Sequence, residues 1–534
     1  MAVSMGMGMD MGMGSLVEMP WSLVLGLVGL LLLLSWRAFQ MLEWAWFKPR
    51  RLARALRAQG LRGTPYRFLS GDVRENTRLS EEAKAKPMPL SHDIVPRVAP
   101  FFHRSMKENG KISFTWVGPV PRVTLTDQEL VREVLSNKFG HFAKLKTPLG
   151  RLLIDGLLNY EGEKWVRHRR ILNPAFHMEK LKRMLPSFST CCTELISRWE
   201  SSVSSHGPFE LDVWPELRNF TGDVISRAAF GSSYQEGRQI FLLQAELGEL
   251  VIQSFRTVYI PGYRFLPTRD NRRLKKIARE IRVLLRGIIG KREKAIKDGE
   301  ANNDDLLGLL LESNKKYFEE NHKSNPMMTT EEVIEECKLF YFAGQETTSV
   351  LLTWTMIVLG MHPSWQVRAR EEVLQVFGKN NPDFEGLSRL KIVTMILYEV
   401  LRLYPPAILL NRMTYKTMQV GGIVYPPGVL LTLPIMFIHH DPDIWGKDAS
   451  EFKPERFAEG ISKASKDHQG AFFPFGWGPR ICIGQNFALL EAKMGLSMIL
   501  QHFSFELSPS YIHAPHTVLA LHPQHGAQIN LQRL

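Results

Sequence analysis

The sequence predicts a mainly α-helical domain with small β-sheets, held behind a single N-terminal helix that crosses a membrane. Three observations carry that expectation. Residues 19–36 contain no charged side chain, and helical periodicity dominates most of the chain after residue 127. Residues 406–435 then switch to short strand-like runs punctuated by Gly421-Gly422 and Pro426-Pro427-Gly428.

The chain has 534 residues, 44 % hydrophobic and 23 % charged. That composition excludes wholesale disorder and fibrous classes. The cysteines are Cys191, Cys192, Cys337 and Cys482, with no C-x-x-C spacing among them, so a zinc finger or thioredoxin-type site is excluded. Cysteine this sparse suits a reducing compartment. A net charge of +13 favours an anionic neighbour: a membrane, nucleic acid or an acidic protein.

Residues 1–18 include a Met/Gly-rich low-complexity run and are expected to form an unstructured lumenal tail. Residues 19–36 follow as a transmembrane signal anchor, spanning ~27 Å as a helix, with Trp21 and Trp36 near its ends. The basic residues come after it (Arg37, Lys48, Arg50, Arg51, Arg54, Arg57), which puts the rest of the chain in the cytosol by the positive-inside rule. A cleaved signal peptide would want the opposite order. Residues 37–65, with Trp44, Trp46 and Phe47 among cations, read as an interfacial linker on the lipid surface.

Residues 66–534 read as one catalytic domain, with no second long apolar span and no internal repeat. Residues 111–126 are rich in β-branched and aromatic residues broken by Gly and Pro, a hairpin signature. Helices are expected over 127–135, 162–171, 179–200, 272–297, 330–359, 363–377 and 390–403, with another after Cys482 and strands in the last twenty residues. Helix 272–297 is strongly basic, with Leu274, Ile277, Ile281, Leu284 and Ile288 on one face. No aromatic stacking platform accompanies it, so it reads as a solvated surface helix and nucleic acid is not expected as a partner.

The most informative segment is Phe473-Pro-Phe-Gly-Trp-Gly-Pro-Arg-Ile-Cys-Ile-Gly484, running into a helix. A thiolate wants hydrogen-bond donors and positive potential, and loop amides beside a helix start supply both. Gly478 and Gly484 permit close backbone approach to a flat ligand or a positive φ. Phe475 would shield the sulfur, and Arg480 offers a planar cation for a carboxylate. A cysteine alone in such a loop would read as structural; the whole pattern does not.

The spacing Phe475-x-x-Gly478-x-Arg480-x-Cys482-x-Gly484 resembles the haem-binding signature of the cytochromes P-450, the haem-thiolate monooxygenases. Other motifs sit in that family's order. Ala343-Gly344-Gln345-Glu346-Thr347-Thr348 resembles the helix crossing the haem's distal face, where an acid and an alcohol deliver protons. Glu346 and Thr347 are the matching positions, with Ala343 and Gly344 against the haem. A glycine in mid-helix costs ~1 kcal/mol, which suggests something flat or bulky pressing there. Glu399-Val-Leu-Arg402 with Arg456 resembles the family's buried structural Glu-Arg-Arg network. Trp165, Arg169, Arg412 and Arg480 match the groups that grip the haem propionates. The wording of Asn173–His177 and Gly476–Arg480 looks most like the plant clan containing secologanin synthase and related terpenoid oxidases.

The resemblance implies the cytochrome P-450 fold, haem b with Cys482 as axial ligand to the iron, and hydroxylation of a lipophilic small molecule with O₂. Electrons would come from NADPH-cytochrome P-450 reductase on the endoplasmic reticulum membrane. By the same resemblance the segment 141–158, Phe340–Ala343, Ala407–Leu410 and Thr517–Leu519 line an apolar cavity, and a terpenoid is the expected substrate. Two departures stand out: the proline-rich hinge is reduced to Pro49 and Pro65, and Glu346 stands where many relatives have Asp. Two other readings remain open here: a haem-thiolate isomerase or dehydratase acting without O₂, and a non-catalytic haem-binding membrane protein.

Overall fold

The computed structural model describes residues 21–136, 142–202, 209–231, 234–256, 262–299, 305–312, 328–465 and 470–534. The low-complexity tail 1–18, the first residues of the expected anchor and His141 lie outside this set.

The apolar helix runs from Trp21 to Leu42 rather than stopping at Trp36, because nothing before a proline at residue 49 opposes helix. It passes through a π-helical turn, Glu43–Phe47, into Lys48–Arg57. The whole of Ser22–Arg57 is long and apolar enough to cross a membrane, and its apolar part is exposed. The expected linker 37–65 is therefore largely helical. It is tied to the domain by the Tyr66 hydroxyl, which donates to the Ala45 carbonyl at 2.6 Å, and by Trp46, whose ring lies 5.7 Å from that of Phe68.

The expected hairpin forms as Ile112–Val117 against Val120–Leu125, turning at Gly118. It extends into a six-stranded sheet: Arg62–Gly63 pairs parallel on one side, and Leu430–Leu433, Leu410–Thr414 and Phe142–Ala143 follow on the other. A three-stranded sheet joins Phe503–Leu507, Gln528–Arg533 and Phe209–Asp212. Pro515–Thr517 and Leu521–Pro523 make a separate hairpin.

The rest is helical, and the 32-residue helix Thr330–Met361 runs through the middle. Its start is fixed by a capping box: Glu332 N–H donates to Thr329 Oγ1 at 3.2 Å, and Thr329 N–H returns to the Glu332 carboxylate at 3.0 Å. Pro363 opens the next helix, Pro363–Phe377. From Val350 to Leu359 every residue of the central helix is buried, which is why its sequence shows so little polar periodicity. Helices Val213–Phe230 and Tyr234–Phe255 pack near it; neither is among the elements expected from sequence. Val213–Phe230 is capped by Asp212, whose carboxylate accepts from Trp214 N–H at 3.1 Å.

Candidate active site

The cysteine loop is held by its own backbone. Cys482 N–H donates to the Phe475 carbonyl at 2.9 Å, Gly476 N–H to Phe473 at 3.0 Å and Ile481 N–H to Gly478 at 3.1 Å. Gly478 has a φ of +70°, and a Cβ there would sit 2.4 Å from the Leu135 carbonyl, so the loop rests on the end of helix Gln128–Ser136. At Gly484 a Cβ would meet only ordinary contacts, Phe176 at 3.9 Å and the Cys482 sulfur at 4.0 Å.

Cys482 has accessible surface yet lies deep enough that burial pushes its thiol up. The Gly484 N–H and the charge of Arg169 work the other way. An accessible atom in a desolvated setting faces an interior space. Thr347 shows the same signature: it is exposed although Glu346 and Thr348 on either side are buried. Phe340, Ala343, Gly344 and Thr347 share one helix face by their spacing. Phe176 connects that face to the cysteine loop, stacking on Phe340 at 5.4 Å and standing beside Gly484.

Cations gather at the edge of this space. Arg480 Nη2 donates to the Tyr160 carbonyl at 2.8 Å and pairs with Glu161, and its guanidinium lies 4.6 Å over the Trp165 ring. Arg169 Nη1 donates to the Ile481 carbonyl at 2.9 Å, next to the sulfur. Burial and the Arg480 charge hold Arg412 down to about 10. Lys144 is held well below its ordinary value by burial, then by Arg412 and Arg480. Among the described residues, Glu161 is the only carboxylate acting on Lys144 and Arg412, and the Arg480 Nη1 is buried without a partner. Buried cations that lower one another's pKa mark a place prepared for an anion.

Behind the loop, Arg402 closes a bidentate pair on Glu399 at 2.7 and 2.8 Å, with both side chains fully buried. Arg456 approaches the same carboxylate at 3.5 Å and pairs with Asp448 at 2.9 Å.

The family model for cytochrome P-450 matches residues 96–529. This chain belongs to the cytochromes P-450. It is 69 % identical to cytochrome P-450 CYP72A616 of Paris polyphylla, an alignment covering 92 % of this chain and 95 % of the relative. It is 56 % identical to cytochrome P-450 72A15 of Arabidopsis thaliana, over 94 % of this chain and 98 % of that one. It is also 56 % identical to the 11-oxo-beta-amyrin 30-oxidase of Glycyrrhiza uralensis, over 92 % and 95 %. A retinoic acid-bound cyanobacterial cytochrome P-450 shares the fold, with a TM-score of 0.71 at 24 % identity, over 83 % of this chain and 96 % of that chain. The protein is thus a plant-type cytochrome P-450 monooxygenase, and membership implies haem, a redox partner and a lipophilic substrate.

The P-450 site residues fit such a group. A flat dianion would enter between the face of Thr347 and the loop of Cys482, and its charge would answer the surplus of Arg412, Arg480 and Lys144. At Gly344, where something flat or bulky is expected, a Cβ would meet Ile225 at 2.7 Å, so helix Val213–Phe230 is the bulky neighbour. Glu346 is not directed at Thr347. Its carboxylate bonds His522 and lies 3.8 Å from Arg218, while the Thr347 hydroxyl donates to the Ala343 carbonyl at 2.7 Å. Burial works to raise the Glu346 carboxyl, but His522 and Arg218 outweigh it and hold it below its ordinary value.

Sequence reading missed Lys144, Glu161, His522 and Arg218. Glu161 is the N-cap residue of the helix that carries Trp165 and Arg169, whereas Arg218 and His522 are brought to Glu346 only by folding. At the expected cavity wall, Leu519 stands against helix Tyr234–Phe255, where a Cβ on Gly248 would meet its Cδ1 at 2.7 Å.

Proposed function

We propose that this P-450 hydroxylates a lipophilic terpenoid on the cytosolic face of the endoplasmic reticulum, with the Cys482 sulfur as axial ligand of haem b. The observation that carries the reading is that Cys482, a desolvated sulfur, opens onto interior space beside Lys144, Arg412 and Arg480, three cations that share the single carboxylate of Glu161. Cysteine-ligated haem, when bound, supplies an oxidant able to attack unactivated C–H bonds.

The chain's residues divide the remaining work. Trp165, Arg169, Arg412 and Arg480, joined by Lys144, hold the propionates. Phe475 covers the sulfur, Gly484 offers its N–H to it, and Ala343 and Gly344 form the opposite wall. Thr347 presents a hydroxyl that can hold a water or a proton over the site, and Glu346 is the acid that renews it. Residues 1–18 are lumenal, an anchor beginning near residue 19 crosses the bilayer, and residues 66–534 face the cytosol. There NADPH-cytochrome P-450 reductase supplies electrons. The 30-oxidase relative supports a triterpenoid as the first substrate class to examine.

The test has two parts. Reduced, carbon monoxide-bound microsomal protein should show the far-shifted Soret band of a thiolate ligand, and C482A should lose it; a band surviving in C482A overturns the ligand. Incubation with a triterpenoid panel including 11-oxo-beta-amyrin should give products only with NADPH and reductase. Products formed without them would establish the isomerase reading instead.

A further inference from the structure

Glu346 and Thr347 are sequence neighbours that look in different directions. Glu346 is turned toward the hairpin Pro515–Thr517/Leu521–Pro523, where His522 Nε2 bonds its Oε1. Arg218, from helix Val213–Phe230, lies 3.8 Å from Oε2. Each oxygen of the acid is thus held by a base from a different element. The carboxylate cannot serve the Thr347 side without releasing at least one of them.

His522 is itself well placed. Its ring packs 4.9 Å from Trp214 and edge-on to His516 at 6.1 Å, and 15 % of its side chain remains accessible. The charged and titratable groups around it are Glu346 on the central helix, Arg218 on the neighbouring helix and His516 on the facing strand. His516 in turn feels Lys84 and Arg97. The acid is buried and the histidine is not wholly so. A proton coming from water therefore meets His522 before it meets Glu346.

We propose that His522 is the positioning residue of the proton-supplying carboxylate: it holds Glu346 away from the Thr347 face and hands it the proton for each turnover. This rests on the roles given to Glu346 and Thr347 above. The step balances. The Nε2–H bond of a His522 imidazolium breaks and an O–H bond forms on Glu346 Oε1, leaving a neutral imidazole and a carboxylic acid. A neutral acid no longer attracts Arg218 or His522, so it is free to turn toward Thr347 and give up its proton there. The returning carboxylate is recaptured, and His522 takes one proton from water. Arg218 keeps its place meanwhile over the Trp214 ring, 5.5 Å from its centroid.

The experiment uses the full-length holoenzyme in lipid nanodiscs with reductase and NADPH, and 11-oxo-beta-amyrin as the added probe. NADPH oxidation is followed in ordinary and heavy water across the neutral pH range. H522F keeps the ring packed on Trp214 but donates nothing. It is expected to slow oxidation about tenfold and enlarge the solvent isotope effect while the carbon monoxide band persists. H522Q, which can hold Oε1 but has no proton to give, should recover only part of the rate and keep the enlarged isotope effect, and H522F should add nothing in an E346Q background. A wild-type rate and isotope effect in H522F, beside a slow E346Q, overturns the proposal alone; a wild-type E346Q overturns the underlying reading with it. If H522F loses its haem, H522N takes its place: its amide is too short to reach Oε1, and equal rates for H522N and H522Q overturn the proposal.

Discussion

His439 Nε2 accepts the main-chain N–H of Phe473 at 2.9 Å, and through it the cysteine loop is fastened to the domain's buried ion-pair network. The carbonyl of the same histidine receives Arg402 Nη1 at 2.8 Å, and Arg402 is closed on Glu399. A ring nitrogen that accepts must be unprotonated. Burial, with Arg402 and His440 nearby, holds His439 well below the ordinary imidazole range. Replacing it with leucine leaves the Phe473 N–H buried and unpaired, at a cost of about 1–3 kcal/mol. H439L is expected to release haem faster than the parent in a transfer assay to apomyoglobin, while helix content by circular dichroism stays the same.

Glu399 faces Arg402 and Arg456 at once, so removing its charge leaves the buried Arg402 without its counter-ion and Arg456 with Asp448 alone. E399Q should lose about 3–5 kcal/mol of stability, the usual cost of breaking a buried pair. Most of that protein is expected in the insoluble fraction. The soluble remainder should show a lower haem-to-protein ratio, measured as the pyridine haemochrome. A soluble E399Q with full haem content would mean that Arg402 is satisfied by the carbonyls of His439, Ala449 and Glu451 alone.

Acid should destabilise the protein through several histidines in the same direction. Burial holds His92 and His440 down to about 3 and His513 to about 4. His92 is fixed between the Tyr404 hydroxyl and His362 Nε2, both at 2.8 Å. The unfolded chain takes up these protons near pH 6.5 and the folded chain does not, so stability is fully present above about pH 6.5 and falls as pH drops toward the folded values. Each group removes at most about 1.4 kcal/mol per pH unit in that window. Urea midpoints measured from pH 7.5 down to about 5 should therefore fall, and H92Q should flatten the slope.

The parts of this fold legible in sequence are those where neighbours in the chain do the work. The hairpin Ile112–Leu125 announces itself by β-branched residues around Gly118, and the central helix by its helical pattern over 330–359. Helix Val213–Phe230 is hidden because it is buried on so many sides that no polar stripe marks it. At the site, the Cys482 loop is readable because every residue in it serves one short turn. Arg218 and His522 are not, since each reaches Glu346 from another element, and Lys144 and Glu161 are not, since their meeting with Arg412 and Arg480 appears only on folding. Glu346 shows the limit most clearly: the motif places it beside Thr347 in sequence, yet adjacent residues on a helix point about 100° apart. Its side chain belongs to a different neighbourhood.

Gly344 offers the cleanest separation of helix packing from ligand contact. A methyl group there would lie 2.7 Å from Ile225 Cγ1 and 2.8 Å from its Cδ1, on the side facing helix Val213–Phe230. Overpacking of that kind costs about 1–3 kcal/mol, more than the ~1 kcal/mol of helix propensity that alanine returns. G344A should therefore lower thermal stability, and I225A should remove the clash, so that the double variant is more stable than the sum of the two single changes predicts. Were the glycine kept for a flat ligand instead, trimming Ile225 would give no rescue, and G344A would shift the carbon monoxide-bound Soret band with little change in apoprotein stability. Thermal midpoints of the four proteins in the double-mutant cycle, with and without haem, decide between these outcomes.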